Sequence, residues 1–251
     1  MWYLPIDTKK LIAIQERLKH RLSLHPKINK INYICGLDAA YVNDFGIGVA
    51  VVLSYPELEL LEYKYITQRI TIPYIPTFLC FRELPILIGA FKKLEHNVDV
   101  VFVDSHGIAH PRGFGCASHI GVLLDLPTIG VSKKLLFGVS DKEPKKVGEW
   151  TYLKHPNENR PIGAIVKTSK IARPIYVSPG HKIDILTAVK LTIEVSKQKL
   201  PEPIKIADAI SKKLRKKAQD LMTKRGDEFN RDARPPDVEK LVKHYLKELE
   251  K

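Results

Sequence analysis

Between residues 100 and 119 the sequence VVFVDSHGIAHPRGFGCASH passes from an unbroken apolar run into an aspartate, three histidines, an arginine and three glycines. Asp104, His106, His110 and His119 are donor types that bind zinc, but their spacing fits no zinc pattern and no cysteine joins them. Carboxylate chemistry is the stronger reading. Asp38 interrupts the apolar stretch INYICGLDAAYV, Glu83 sits among apolar residues in FLCFRELP, and Asp104 ends the most hydrophobic stretch of the chain. A carboxylate buried without a partner costs on the order of several kcal/mol, so three in such settings point to a shared partner. Oxygen donors of this kind suit Mg²⁺ or Mn²⁺, and two ions ~3.5–4 Å apart would serve phosphodiester hydrolysis by steadying the attacking and leaving oxygens. Each residue also has a plain structural alternative. Asp38 could be paired by a lysine, Glu83 could favour a helix N-terminus, and Asp104 could open the turn before Gly107.

Four further positions are candidates for a supporting role. His110 precedes Pro111 and Arg112, and that arginine's planar fork suits a phosphate beside a metal. Lys133, or its neighbour Lys134, ends TIGVSKK where a cation would offset charge on a pentavalent phosphate. His181 follows a Pro-Gly pair in SPGHKID, expected to be a turn that delivers a proton-transfer or phosphate-binding group. Asp208, in LPEPIKIADAI, stands out as a locally odd acid before an expected helix, and could simply be that helix's N-cap.

These groups are only as good as the elements that place them. Leu11, Ile14, Leu18 and Leu22 predict an opening helix over 8–24, and residues 31–42, 46–55 and 61–70 read as three closely joined strands, an antiparallel meander. The proline-marked segment to 85 leads into a helix whose stripe is Leu84, Leu87, Ile88, Phe91 and Leu94. VDVVFVDSHG is a strand buried on both faces, GCASHIGVLLDL a helix and PTIGVSKKLL a strand, with EWTYL, IGAIVKT and PIYVSPG as later strands. Two helices close the chain, one with Ile210, Leu214, Ala218 and Leu221 on its apolar side, the other with Val238, Leu241, Leu246 and Leu249. Ligands gather at the carboxyl ends of strands in such sheets, where Asp104 falls, and Asp38 joins it if the first strand neighbours the fourth. The fold class is α/β, a mixed sheet with antiparallel hairpin strands and parallel strands flanked by helices. With no repeat or low-complexity linker, residues 1–251 are expected to be one domain with a basic helical extension from about 211.

The formal charge of +13 suggests an anionic partner, and it is not confined to a tail. From Ser211 onward 13 Lys/Arg face 8 Asp/Glu, a net +5 that leaves +8 in the first 210 residues. Nucleic acid is the natural partner for a broadly cationic chain, because binding phosphates releases counterions. A lysine- and glutamate-rich solvated surface is the alternative. No segment reaches the ~18 apolar residues that span a bilayer, and MWYLPIDTKK has no signal-peptide pattern, so a cytoplasmic monomer without membrane contact is expected. Cys35, Cys80 and Cys116 are scattered and read as buried hydrophobes.

GLDAAYV, PYIPTFLCFRELP, DSHGIAHPRGFGCASHIGVLLDLPTIGVSKKLL, PIYVSPGHKID and LPEPIKIADAISKK, spanning about residues 34–215, together resemble the endonuclease V family, ribonuclease H-like nucleases that act on inosine in nucleic acid. The resemblance implies a ribonuclease H-like fold, Asp38, Glu83 and Asp104 as ligands of Mg²⁺ (or Mn²⁺), and Asp208 as a further acid of that centre. It implies His110, Lys133 and His181 as helpers and Tyr74 as the wedge that fills the gap left by a flipped base. Arg82, Arg112, Gly107 and Gly115 are assigned beside it to substrate binding, the glycines through backbone that lines a base pocket. Hydrolysis of the second phosphodiester bond 3′ to the inosine, leaving 3′-hydroxyl and 5′-phosphate ends in DNA repair, is the implied reaction. Deoxyinosine DNA is the implied partner, with inosine RNA beside it. Three stretches depart from the family's usual residues: Ser105-His106 replaces a Gly-polar pair, Thr77 a glycine and Pro179 a valine. Two other readings stay open, an inosine-binding protein that does not cut and another ribonuclease H-like nuclease such as a junction resolvase.

Overall fold

The computed structural model describes residues 6–28 and 30–224. Their centre is an eight-stranded mixed sheet in the order β3-β2-β1-β4-β5-β8-β7-β6. β1 (Tyr33–Val42), β2 (Phe45–Ser54) and β3 (Leu60–Arg69) form the expected antiparallel meander. β4 (Val100–Val103) and β5 (Thr128–Ser132) then add in parallel, β4 beside β1. β6 (Trp150–Lys154), β7 (Pro161–Val166) and β8 (Ile175–His181) complete it antiparallel.

All four residues of β4 are buried, which is why that stretch carries no polar alternation. Ile34, Val100 and Phe102 face one core, with residues of α4 (Ile185–Glu194) and α5 (Glu202–Lys224). Cys35, Leu37, Val101 and Val103 face the other, with α2 (Leu79–Phe91) and α3 (Cys116–Leu124). Cys35, Cys80 and Cys116 are all buried and unbridged. Side chains alternate along a strand, so Asp38 and Asp104 fall on the α5 side, in step with Ile34 and Phe102. α5 comes close to β1 because residue 36 is glycine: a Cβ there would lie 2.1 Å from the carbonyl oxygen of Pro203.

Several boundaries differ from those read in the sequence, each for a local reason. α1 covers Thr8–Lys19, capped by the Asp7 carboxylate, and ends before Leu22. α2 begins at Leu79 and contains Pro85, whose lost backbone bond is outweighed by burial of Cys80, Ile86, Leu87 and Ala90. α4 has no counterpart among the expected elements. Its Ile, Thr and Val content reads as strand, yet Asp184 caps it by accepting from the Thr187 N–H at 2.7 Å. SPGH is no turn, because β8 continues through Pro179 to His181 with a register shift against β5, a place where a sheet tolerates proline. α5 starts at Glu202, so Asp208 lies inside the helix and is not its N-cap. The helix expected around Val238–Leu249 lies outside the described residues. No helix among the described residues is long and apolar enough to cross a membrane.

Candidate metal centre and adjoining cavity

The parallel register of β1 on β4 pairs Leu37 with Val103, and the next residue of each strand is an aspartate. The Asp104 N–H donates to the Leu37 carbonyl at 3.3 Å, so the strands stay joined where the two carboxylates emerge. α5 contributes Asp208. One carboxylate oxygen from each of Asp38, Asp104 and Asp208 lies within 4.8 Å of the others, the only such acidic, histidine or cysteine grouping among the described residues.

Each carboxylate is held differently. Ser211, one turn beyond Asp208 and 1% exposed, donates its hydroxyl to Asp38 Oδ2 at 2.5 Å. Burial raises the Asp38 carboxyl to about 6, and the charges of Asp104 and Asp208 push the same way against the Ser211 bond. Lys133 Nζ bridges Asp104 Oδ2 at 3.0 Å and Asp208 Oδ1 at 3.4 Å, while Lys212 Nζ holds Asp208 Oδ2 at 2.5 Å. Burial opposes ionisation of Asp208, but these two ammonium groups hold it below the usual carboxylate range. Burial likewise works against the Lys133 charge, and its carboxylate neighbours overcome it and raise the amine.

Glu83 stands beside this triad and outside it. It comes from α2, over the opposite face of the sheet, and Tyr41 donates to its Oε1 at 3.0 Å. Burial lifts it to about 8, assisted by repulsion from Asp38 and Asp104. Arg82, next to it, stacks on the Tyr41 ring at 4.4 Å and donates to the Ile72 carbonyl at 3.0 Å.

A cavity of about 270 Å³ adjoins the carboxylates through the next residues in the chain. Ser105 follows Asp104 and Lys134 follows Lys133, and both line it together with Tyr74, Thr77, His106, His110, Leu135 and Leu136. Tyr74 is 64% exposed at this cavity. Gly107 and Gly115 are not among its walls. Their role is close packing: a Cβ on Gly107 would lie 1.9 Å from the Pro179 carbonyl oxygen, and the Gly115 N–H donates to the Gly107 carbonyl at 2.9 Å.

Thr77 has φ +68, a left-handed conformation that costs a β-branched residue free energy. Arg112 holds it there. Its Nη2 donates to the Thr77 carbonyl at 2.7 Å and Oγ1 at 2.9 Å, its Nε donates to buried Gln15 Oε1 at 2.6 Å, and its guanidinium lies 4.3 Å over Phe78. His110 Nε2 adds a bond to the same carbonyl at 3.0 Å, and its Nδ1 accepts from the Arg112 N–H at 3.2 Å. That fixes the proton on Nε2.

The sequence matches the Endonuclease V family model over residues 16–209, which takes in all four acidic positions. The chain belongs to the Endonuclease V family. Endonuclease V of Thermosipho melanesiensis is 41% identical over 209 residues, 83% of this chain and 91% of that one. The crystal structure of Endonuclease V from Bacillus subtilis superposes with a TM-score of 0.80 at 30% identity, covering 86% of this chain and 95% of that one. A Ciona intestinalis Endonuclease V, solved with a 24mer DNA containing an inosine followed by a ribo-adenosine, gives 0.74 at 28% identity over 84% and 98%.

Within this Endonuclease V fold the residues singled out in the sequence separate into three groups. Asp38, Asp104, Asp208 and Lys133 meet, with Glu83 alongside. Tyr74 and His110 line the cavity, and Arg112 and Arg82 hold loops. Both His110 nitrogens are engaged and burial lowers it to about 4, so it carries no charge and no free donor toward a phosphate. Arg112 spends its fork on Gln15 and Thr77. His181 lies elsewhere: it pairs with Thr128 at the start of β5, the opposite end from Lys133, accepts from the Ser23 N–H at 3.2 Å and faces Asp125 at 3.5 Å. His119 packs between Phe81 and Phe114, and His106 Nε2 is bonded to the Lys134 carbonyl at 3.0 Å, so no zinc set forms. Sequence reasoning misses Ser211 and the tie of Lys212 to Asp208, together with Tyr41 and Gln15. Ser211 and Lys212 follow Asp208 at helical spacings of three and four, a signal hidden when the helix is started after Asp208.

Two outcomes follow from this geometry. Glu83 has a raised folded pKa, so its contribution to stability is full below 4.5 and is lost as pH climbs through about 8. In chelator, Glu83→Gln should therefore melt higher than the parent at pH 8 by several degrees, at ~2–4 °C per kcal/mol for a chain of this size, and the gap should close toward pH 5. Scanning calorimetry at both pH values checks it, and equal melting at pH 8 contradicts it. Arg112→Met should cost about 2–4 kcal/mol in denaturant unfolding. The same change on a Thr77→Gly background should cost at least ~0.5 kcal/mol less, since glycine adopts positive φ unaided; strict additivity would contradict the clamp.

Proposed function

We propose that this chain is a divalent-metal-dependent endonuclease that recognises inosine in nucleic acid and hydrolyses the second phosphodiester bond 3′ to it, leaving 3′-hydroxyl and 5′-phosphate ends, in DNA repair. The observation that carries the reading is the triad Asp38, Asp104 and Asp208, with ligand oxygens within 4.8 Å, beside a cavity of about 270 Å³. Support also comes from the Ciona relative, whose bound DNA contains an inosine.

The donor set fits the implied metal. Three carboxylates with no nitrogen or sulfur donor among them suit a hard dication such as Mg²⁺ or Mn²⁺, and a bound cation would offset both the burial that chiefly raises Asp38 and the repulsion that Asp104 and Asp208 add. Asp38, Asp104 and Asp208 would hold it, with Glu83 at the edge. Such an ion supplies Lewis-acid stabilisation of charge growing on phosphate oxygens. Lys133, already poised at the carboxylates, brings a fixed positive charge to the same phosphate.

The cavity takes the base. It is close to the lower limit of small-ligand sites, ~300 Å³, and its walls offer a hydroxyl from Ser105 and aliphatic surface from Leu135 and Leu136, a mixture suited to a flat heterocycle. Tyr74 stands exposed at its edge, an aromatic ring able to stack where the base has left the duplex. Hypoxanthine pairs weakly, so its extrusion costs less than that of a normal base. Thr77 and Ser105, two of the departures from the usual family residues, both line the cavity and set its shape.

End-labelled duplexes carrying one deoxyinosine, and matched strands carrying inosine in RNA, test this directly with Mg²⁺, Mn²⁺ and chelator. Expected is a single nick one nucleotide beyond the inosine's own 3′ linkage with either ion and none in chelator, with Asp104→Asn at least about 100-fold slower and still able to bind. Cutting in chelator contradicts the metal assignment. Binding without cutting under any ion returns the inosine-reader alternative, and Tyr74→Ala nicking inosine duplex as well as the parent contradicts the base-flipping account and favours a junction-type nuclease.

A further inference from the structure

α5 buries one line of residues, Ile204, Ala207, Ser211, Leu214 and Ala218. The positions flanking that line on the Asp208 side, at spacings of three and four, are Lys212, Arg215 and Lys216, all exposed. Lys213 and Lys217 fall on the other flank, after Ile206 and Ile210, which are packed against the core. From Ala209 to Gln219 the helix holds five basic residues and no acidic one. Lys212 is tied to Asp208, but among the described residues no carboxylate pairs with Arg215 or Lys216.

The metal centre alone is a poor landing place for a polyanion, since its carboxylates repel phosphates until a cation is bound. Cationic surface must supply the attraction from nearby. Arg215 and Lys216 lie seven and eight residues beyond Asp208 on one rigid helix, ~10–12 Å along its axis at ~1.5 Å per residue. That length covers about three nucleotides of one strand at ~3.4 Å each. We propose that Arg215 and Lys216, with Lys212 at the junction, form a ridge that binds the phosphate backbone of a duplex next to the metal centre and leads it to the carboxylates. The family match ends at residue 209, so this ridge lies beyond it. The inference rests on the nuclease reading for its purpose, but the binding it describes is measured separately from cutting.

The test uses the full chain in chelator with a fluorescein-labelled duplex carrying one deoxyinosine, titrated across roughly 50 to 200 mM KCl. Arg215→Gln with Lys216→Gln should weaken binding several-fold at about 100 mM and flatten the slope of log K against log salt by about 2, at ~0.9 per phosphate contact. Lys213→Gln with Lys217→Gln removes the same charge from the other flank and should change the slope by less than half as much. Equal effects of the two pairs, an unchanged slope in the first, or no binding of the duplex by the parent chain overturns the ridge. Melting temperatures of both variants, expected to match the parent, separate lost contacts from lost folding. A parent chain that binds with the predicted slope and cuts nothing under Mg²⁺ or Mn²⁺ supports the ridge and defeats the nuclease reading alone.

Discussion

Like charges held side by side are the constraint on which the rest of this molecule turns. The β1–β4 register sets Asp38 next to Asp104, and α5 lays Asp208 within 4.8 Å of both. In a partly buried setting such a cluster is costly unless something answers it. The protein answers with the Ser211 hydroxyl on Asp38, the Lys133 ammonium between Asp104 and Asp208, and Lys212 on Asp208. Burial foremost, with added repulsion from the neighbouring aspartates, still leaves the Asp38 and Glu83 carboxyls raised. On the proposed function, a divalent cation would supply the missing positive charge.

The scaffold is arranged to tolerate that strain. β4 is apolar and buried on both faces, so Asp104 projects from the end of a strand that packing fixes firmly. Gly36 lets α5 approach β1 closely enough for one helix to provide both an acid and the hydroxyl that steadies another acid. The cavity is tensioned in its own way. Thr77 holds a left-handed backbone because Arg112, Gln15 and His110 converge on it, tying the opening helix, the loop after Asp104 and the loop carrying Tyr74 into one unit. Residues consecutive in the chain divide between the two regions: Asp104 and Lys133 meet the triad, Ser105 and Lys134 the cavity. The cavity and the carboxylate cluster are thereby tied to each other by adjacent peptide units.

Most of the sheet is legible in the sequence because its signals are local. The apolar run ending at Asp104 and the short turns among the first three strands suffice for the meander and the buried parallel strand. Asp38 and Asp104 are legible for the same reason, as charges placed where strand burial forbids them. Asp208 is visible but misplaced, since LPEP suggests a break and the helix begins at Glu202. Glu83 is legible as a buried acid because its apolar neighbours announce burial, but burial does not say which face of the sheet a helix covers. His110 and Arg112 carry the residue types of a phosphate site and serve as struts for Thr77, a use that only a left-handed backbone 35 residues away from Arg112 explains. α4 is hidden by its β-branched composition.

Anomalous scattering from crystals of the full chain soaked in Mn²⁺ is the most direct test of the central claim. The account predicts a peak bounded by Asp38, Asp104 and Asp208, with Lys133 Nζ drawn away from at least one of its carboxylate partners. Manganese bound at His106, His110 or His119, or no ordered ion among the three aspartates, would contradict it.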